Sequence, residues 1–126
     1  SFMECDLEGA RLNGAKGERT SFLKANLADA TLDRSVLASA FFDDARAPRA
    51  SFAAADLIDA RLCRMALTEA RFDRANPFKA DLGDAEVDRA SFREANLYDA
   101  KMLRTAGESC DMTGANTTLT RVRGGL

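Results

Sequence analysis

Apolar residues recur every five positions from one end of this chain to the other. Counting from Phe2 in steps of five gives Phe2, Leu7, Leu12, then Phe22, Leu27, Leu32, Leu37, Phe42 and onward to Val122. Of these 25 positions 16 are Leu or Phe, and Val87, Met102, Met112 and Val122 are also large and apolar. A second register lies two residues before each centre, from Cys5 and Ala10 to Thr120, and 17 of its 24 members are Ala. None of the 18 Lys and Arg or 20 Asp and Glu residues falls in either register. Ionised side chains are almost never buried without a partner, so two positions in five face inward and three face out. A period of five matches neither the ~3.6 residues of a helix nor the 2 of a flat strand. Helical spacing would spread Leu27, Leu32 and Leu37 around the axis, which excludes an amphipathic helix.

A five-residue unit cannot bury its own large side chain, so such units stack on one another as a solenoid. The stretches Ala25-Asn26-Leu27, Ala55-Asp56-Leu57, Ala80-Asp81-Leu82 and Ala95-Asn96-Leu97 give the chain the pattern A(D/N)L, which resembles the bacterial pentapeptide-repeat family. The likeness runs over essentially all of residues 1–126. It implies one all-β domain over 1–126, a right-handed quadrilateral β-helix. Four pentapeptides make each coil, with the Leu or Phe at the centre of each side and the small residue at the corner.

A coil of 20 residues places residues 20 apart on one side, separated by the ~4.8 Å strand spacing. Charges then alternate along three columns: Glu4, Lys24, Asp44, Arg64, Asp84, Arg104; Asp29, Arg49, Glu69, Arg89; and Asp59, Lys79, Asp99. Opposite charges on neighbouring strands are favourable by ~0.2–1 kcal/mol, so all three are expected as ion-pair ladders. The aromatics agree with this repeat, because Phe2, Phe22 and Phe42 share one side and Phe52, Phe72 and Phe92 the opposite one. The expectation is about six coils, a rod ~30 Å long.

Five centres break the pattern: Gly17, Ala47, Pro77, Gly107 and Thr117. The first four fall on the two sides that lack Phe, so small centres there are expected to make room for Phe on the others. Pro77 also lacks a ladder donor. Cys5 and Cys110 fall at inward corners five coils apart and Cys63 points outward, too distant to pair. Free thiols fit a cytoplasmic setting. No apolar run is long enough for a membrane helix. The chain opens at Ser1-Phe2 already in register, as a piece of a longer bacterial protein would.

The sequence has no His, no Trp, no CxxC and no glycine-rich phosphate loop. Asp43-Asp44 is a carboxylate pair, but on a convex rod without a cleft to exclude water. No enzyme activity, cofactor or metal is therefore expected, and the chain is taken as a rigid protein-interaction or scaffold module with a protein partner. The candidate surface is the column directly after the Gly17-side centres, where Ile58, Phe78 and Tyr98 would stack as exposed apolar groups flanked by Asn76, Asn96 and Asn116. Exposed apolar patches mark partner sites, and aromatic residues anchor them. An alternative orientation turns Phe78 inward to replace the poor centre Pro77. A smaller apolar group, Met3, Leu23 and Phe41, lies near the N-terminal end of another side.

The resemblance also implies an alternative function. Some pentapeptide-repeat proteins bind DNA gyrase by imitating the shape and charge of a duplex, which needs an extended negative surface. Only the Leu7 side is acidic here, with Glu86, Asp88 and Glu108 among seven acids interrupted by Arg46, Arg49 and Arg89. Direct nucleic-acid binding is not expected. Neither end shows a capping helix, so end-to-end self-association is a further expectation. Thr117, Thr118 and Gly124-Gly125 suggest a tapering C-terminal end.

Overall fold

A computed structural model describes residues 1–123; Gly124-Gly125 lie outside them. Parallel bridges join residues 20 apart at every step but Asn76 to Asn96, from Asp6↔Asn26 to Asn96↔Asn116. They end in the short strands β1 (Lys101–Leu103) and β2 (Arg121–Arg123), which pair in parallel with Lys101 opposite Arg121.

Each pentapeptide uses its backbone groups in the same way. The corner N–H turns back onto the centre carbonyl of its own repeat, as Ala25 N does to Phe22 O at 3.0 Å. The remaining donors reach neighbouring coils, as in Phe22 N to Phe41 O (2.6 Å), Lys24 N to Asp43 O (3.1 Å) and Asn26 N to Cys5 O (2.9 Å). A turn closed in this way needs a positive φ at its third residue. Every such position from Glu4 to Leu119 has one, and only Gly9, Gly14 and Gly114 are glycine. The others, many of them Asp, Glu, Arg or Lys, sit at φ of 53–63°. An L side chain there is unfavourable by ~1 kcal/mol or more. The interstrand hydrogen bonds on both sides of each turn hold it in place.

The core follows the two apolar registers. Leu27, Leu32, Leu57, Leu62 and Leu67 are fully buried, as are nearly all corner alanines between Ala25 and Ala100. Phe2, Phe22 and Phe42 stack at 5.3 and 4.7 Å, and Phe52, Phe72 and Phe92 at 4.8 Å. The stacks meet where Phe42 and Phe52 touch edge to face at 5.8 Å. Ala47, between them in sequence, is completely buried, in keeping with a small centre beside large rings. Gly107 is small for a different reason. A Cβ there would lie 2.8 Å from both the carbonyl carbon and Cγ2 of Val87, so the neighbouring coil already fills the space.

Corner hydroxyls find backbone partners: Ser35 donates to Leu32 O (2.6 Å) and Thr105 to Leu82 O (2.7 Å). Cys63 corrects an expectation. Its register position faces out, yet it is buried, because its Sγ tucks against Asp81 O at 3.8 Å and its N–H donates to Asp43. Asp43 is buried as well, and Arg61 reaches over it at 2.9 Å.

Candidate interaction surface

The charge columns run through the positive-φ positions, so their side chains project from turns, stacked coil on coil. Two columns form ion pairs, and in every pair the Arg reaches back to the acid one coil earlier. Arg64 binds Asp44 at 2.8 and 3.1 Å, Arg104 binds Asp84 at 2.7 and 3.0 Å, and Arg49 binds Asp29 at 2.8 and 3.0 Å. Arg89 reaches Glu69 at 3.3 Å. The first three are fork-to-carboxylate contacts, the geometry in which Arg excels. The Arg hydrogen bond holds Asp29, Asp44 and Asp84 below the usual carboxylate range, against a weaker upward push from burial.

The third column departs from expectation. Among the described residues Asp59 has no ion pair. The ammonium of Lys79 sits 5.4 Å from the centre of the Phe78 ring, and Asp99 faces Arg121 at 3.6 Å. An ammonium is a compact charge that is attracted to an aromatic face, and here the ring lies next to it in sequence.

Phe78 faces outward, which removes the inward alternative. Pro77 is buried at the centre, while Phe78 is half-buried and stacks on Tyr98 at 5.3 Å with the rings 8° from parallel. Ile58 and Tyr98 are half-buried too, rather than fully exposed, as members of a column stacked coil upon coil.

Beside them runs a ladder of amides. Asn96 donates to Asn76 at 3.0 Å and Asn116 to Asn96 at 3.3 Å, while Asn96 Oδ1 accepts the Tyr98 N–H at 3.2 Å. The bridge series passes from Asp56↔Asn76 to Asn96↔Asn116 without a bridge between Asn76 and Asn96. That is the step at which Pro77 has no N–H to give. At that step the coils stay joined by the Asn96 N–H to Ala75 O at 3.0 Å and by the Asn96–Asn76 amide bond, and Asn76 and Asn96 support the aromatic column.

The other candidates are dispersed. Glu86 and Glu108 are exposed and Asp88 is half-buried, with Asp88 Oδ1 accepting the Glu108 N–H at 2.9 Å. Met3 and Phe41 are exposed and Leu23 half-buried. Leu119 is 61% exposed in the column of Asp59, Lys79 and Asp99. Sequence reasoning missed it, although an apolar residue at an outward register position was the available signal. Among the described residues one apolar hollow of about 250 Å³ lies beside Gly107 and Met112, and another of about 170 Å³ lies where Gly17 leaves the centre unfilled beside Leu12 and Leu37. Among the described residues no three His, Cys, Asp or Glu side chains converge as metal ligands, and no helix is long and apolar enough to cross a membrane.

Residues 1–38 and 49–76 match the family described as pentapeptide repeats, in eight copies. The chain belongs to the pentapeptide repeat family. Members form right-handed quadrilateral β-helices, and the four pentapeptides in every 20 residues seen here are the sides of that helix. Among solved structures, a pentapeptide repeat protein of the Arabidopsis thaliana thylakoid lumen has 27% sequence identity and a TM-score of 0.76, over 79% of this chain and 69% of that one. HetL, a pentapeptide repeat protein involved in heterocyst differentiation regulation in the cyanobacterium Nostoc, has 25% identity and a TM-score of 0.46, over 94% of this chain and 60% of that one. QnrB1, a plasmid-mediated fluoroquinolone resistance protein, has 14% identity and a TM-score of 0.45, over 96% and 81%. No curated protein matches the chain in sequence. The thylakoid likeness is one of fold, and the pentapeptide repeat column of Ile58, Phe78 and Tyr98 is argued from this chain's own residues.

Proposed function

We propose that this pentapeptide repeat protein is a non-enzymatic, rigid protein-interaction module of just over six coils, and that Ile58, Phe78 and Tyr98, supported by Asn76 and Asn96, form its binding surface. The observation that carries this is the Phe78–Tyr98 stack held outside the core at 5.3 Å. Two aromatic side chains on adjacent rows of a stiff wall offer apolar area with little conformational freedom left to lose on binding. Three free cysteines support a reducing, cytoplasmic setting.

The ion-paired columns weigh against duplex mimicry. Asp29, Asp44, Glu69 and Asp84 each hold an Arg, so their charge is not free to compete for a basic groove.

Capture from lysate with the wild type and an Ile58→Asp, Tyr98→Asp double variant tests the proposal. A partner held by the wild type, and lost by a variant that still unfolds cooperatively, is the expected result. Equal recovery by both proteins would remove this surface from consideration. Inhibition of gyrase supercoiling, abolished by charge reversal at Glu86, Asp88 and Glu108, would favour mimicry instead.

A further inference from the structure

We propose that the occupant of this strip is a basic amphipathic α-helix of a partner protein, lying along the rod axis with its N-terminal turn over Ile58. The inference rests on the strip being the interaction surface and adds the chemistry of what it receives.

The charge around the strip is uneven. Ile58 lies between Asp56 and Asp59 of its own repeat, and none of the ion pairs among the described residues includes either acid. Asp56 is half-buried and accepts the Ile58 N–H at 3.2 Å, while Asp59 is exposed. One coil on, Phe78 is flanked by neutral Asn76 and by Lys79, whose ammonium sits by the ring. One coil further, Asp99 is met by Arg121. Countercharge is therefore missing at the Ile58 end alone. Basic side chains supply it, and so does a helix N-terminus, which carries about half a positive charge.

Spacing selects a helix over a strand. Rows of the strip repeat at ~4.8 Å, so Ile58 and Tyr98 lie ~10 Å apart along the axis. Residues i and i+7 of an α-helix are ~10.5 Å apart, with i+3 and i+4 between them, so a helical stripe keeps step over all three rows. Same-face residues of a strand advance ~6.6 Å and lose about 2 Å per row.

A second copy of this chain centred on the Phe78 row does not fit. Antiparallel docking about Phe78 would set Lys79 on Lys79 and Asp59 on Asp99, and parallel docking would set Asp59 on Asp56. Like charges forced together at an interface are strongly unfavourable.

The test uses three synthetic peptides, read by fluorescence anisotropy at physiological salt. One has a leucine stripe at helical spacing flanked by Lys, the second the same stripe flanked by Glu, and the third alternating Leu and Lys in a strand pattern. The Lys helix is expected to bind best. Asp59→Lys should weaken it at least tenfold, whereas Glu94→Lys, an exposed reversal on another side, should leave it unchanged. Equal loss from both reversals would reduce the effect to general charge attraction and overturn the inference. Equal binding of Lys and Glu helices, both lost in Ile58→Asp, Tyr98→Asp, would overturn the basic partner while leaving the surface standing. Tighter binding of the strand peptide would overturn the helix. Failure of all three peptides would also overturn it, and the capture comparison would still decide the surface on its own.

Discussion

Two glycines at the same register position should respond in opposite ways to one added methyl group. At Gly107 a Cβ would lie 2.8 Å from the carbonyl carbon and Cγ2 of Val87 and 3.1 Å from the Asp88 nitrogen. Val87 is fully buried and its N–H is bound to Ala106 O at 2.8 Å, so it cannot move without stretching the coil-to-coil ladder. Overpacking of this kind costs ~1–3 kcal/mol. Removing a glycine from the unfolded chain returns only ~0.4–1 kcal/mol. Gly107→Ala should therefore destabilise by about 1–2 kcal/mol. At Gly17 the same methyl would meet Thr20 Oγ1 at 2.9 Å and Leu37 Cδ2 at 3.2 Å, both ends of side chains that can turn away into an apolar hollow of about 170 Å³. Gly17→Ala should thus fall between neutral and ~1 kcal/mol stabilising. Urea unfolding followed by circular dichroism reads both variants, with an unchanged m-value showing that the midpoints report stability. Equal shifts for the two, or a gain at Gly107, would refute the packing described for Val87.

The remaining predictions address polar groups. Asn96→Ala removes side-chain bonds to Asn76, to Asn116 and to the Tyr98 N–H and should cost ~1–2 kcal/mol, more than Asn116→Ala, as compared by chemical denaturation. The carboxyls of Asp29, Asp44 and Asp84 are lowered by their Arg partners and that of Asp111 by Thr113. Their contribution is present above the unfolded value near pH ~4 and lost as pH falls through the depressed folded values. The unfolding midpoint should therefore fall progressively as pH is lowered from ~4 through those depressed values. Burial, then Asp81 and Asp43, pushes the Cys63 thiol up to about 11, so at pH 8 a thiol reagent should label it only after unfolding, with the half-buried Cys5 reacting earlier.

The inward and outward positions were legible because charge and apolar character never share a register. The 20-residue circuit was legible for the same reason, since Asp44, Arg64, Asp84 and Arg104 alternate and do pair. The positive-φ turns were hidden because only three of those positions carry the glycine that normally announces them. Their conformation comes from the stacked ladder, a non-local constraint that overrides local preference. Cys63 and Asp43 were misjudged because side chains from neighbouring coils, Arg61 above all, fold over them. Lys79 chose the adjacent ring over a partner one coil away. For the candidate surface, Ile58, Phe78 and Tyr98 could be named from their spacing. The bonds of Asn96 to Asn76 and to the Tyr98 N–H emerged only from the structure, because they depend on how the amide is turned in its ladder.

Everything above depends on which two positions in five face the core, and Leu57 and Asp59 test that most directly. Leu57 is fully buried and Asp59 exposed, two residues apart in one repeat. Cooperative unfolding of Leu57→Lys and Asp59→Lys should be measured side by side. Leu57→Lys should abolish the folded baseline, because an unpaired charge would have to enter the core, while Asp59→Lys should stay within about 0.5 kcal/mol of the wild type. Equal damage from the two substitutions would contradict the five-residue register and the surface built upon it.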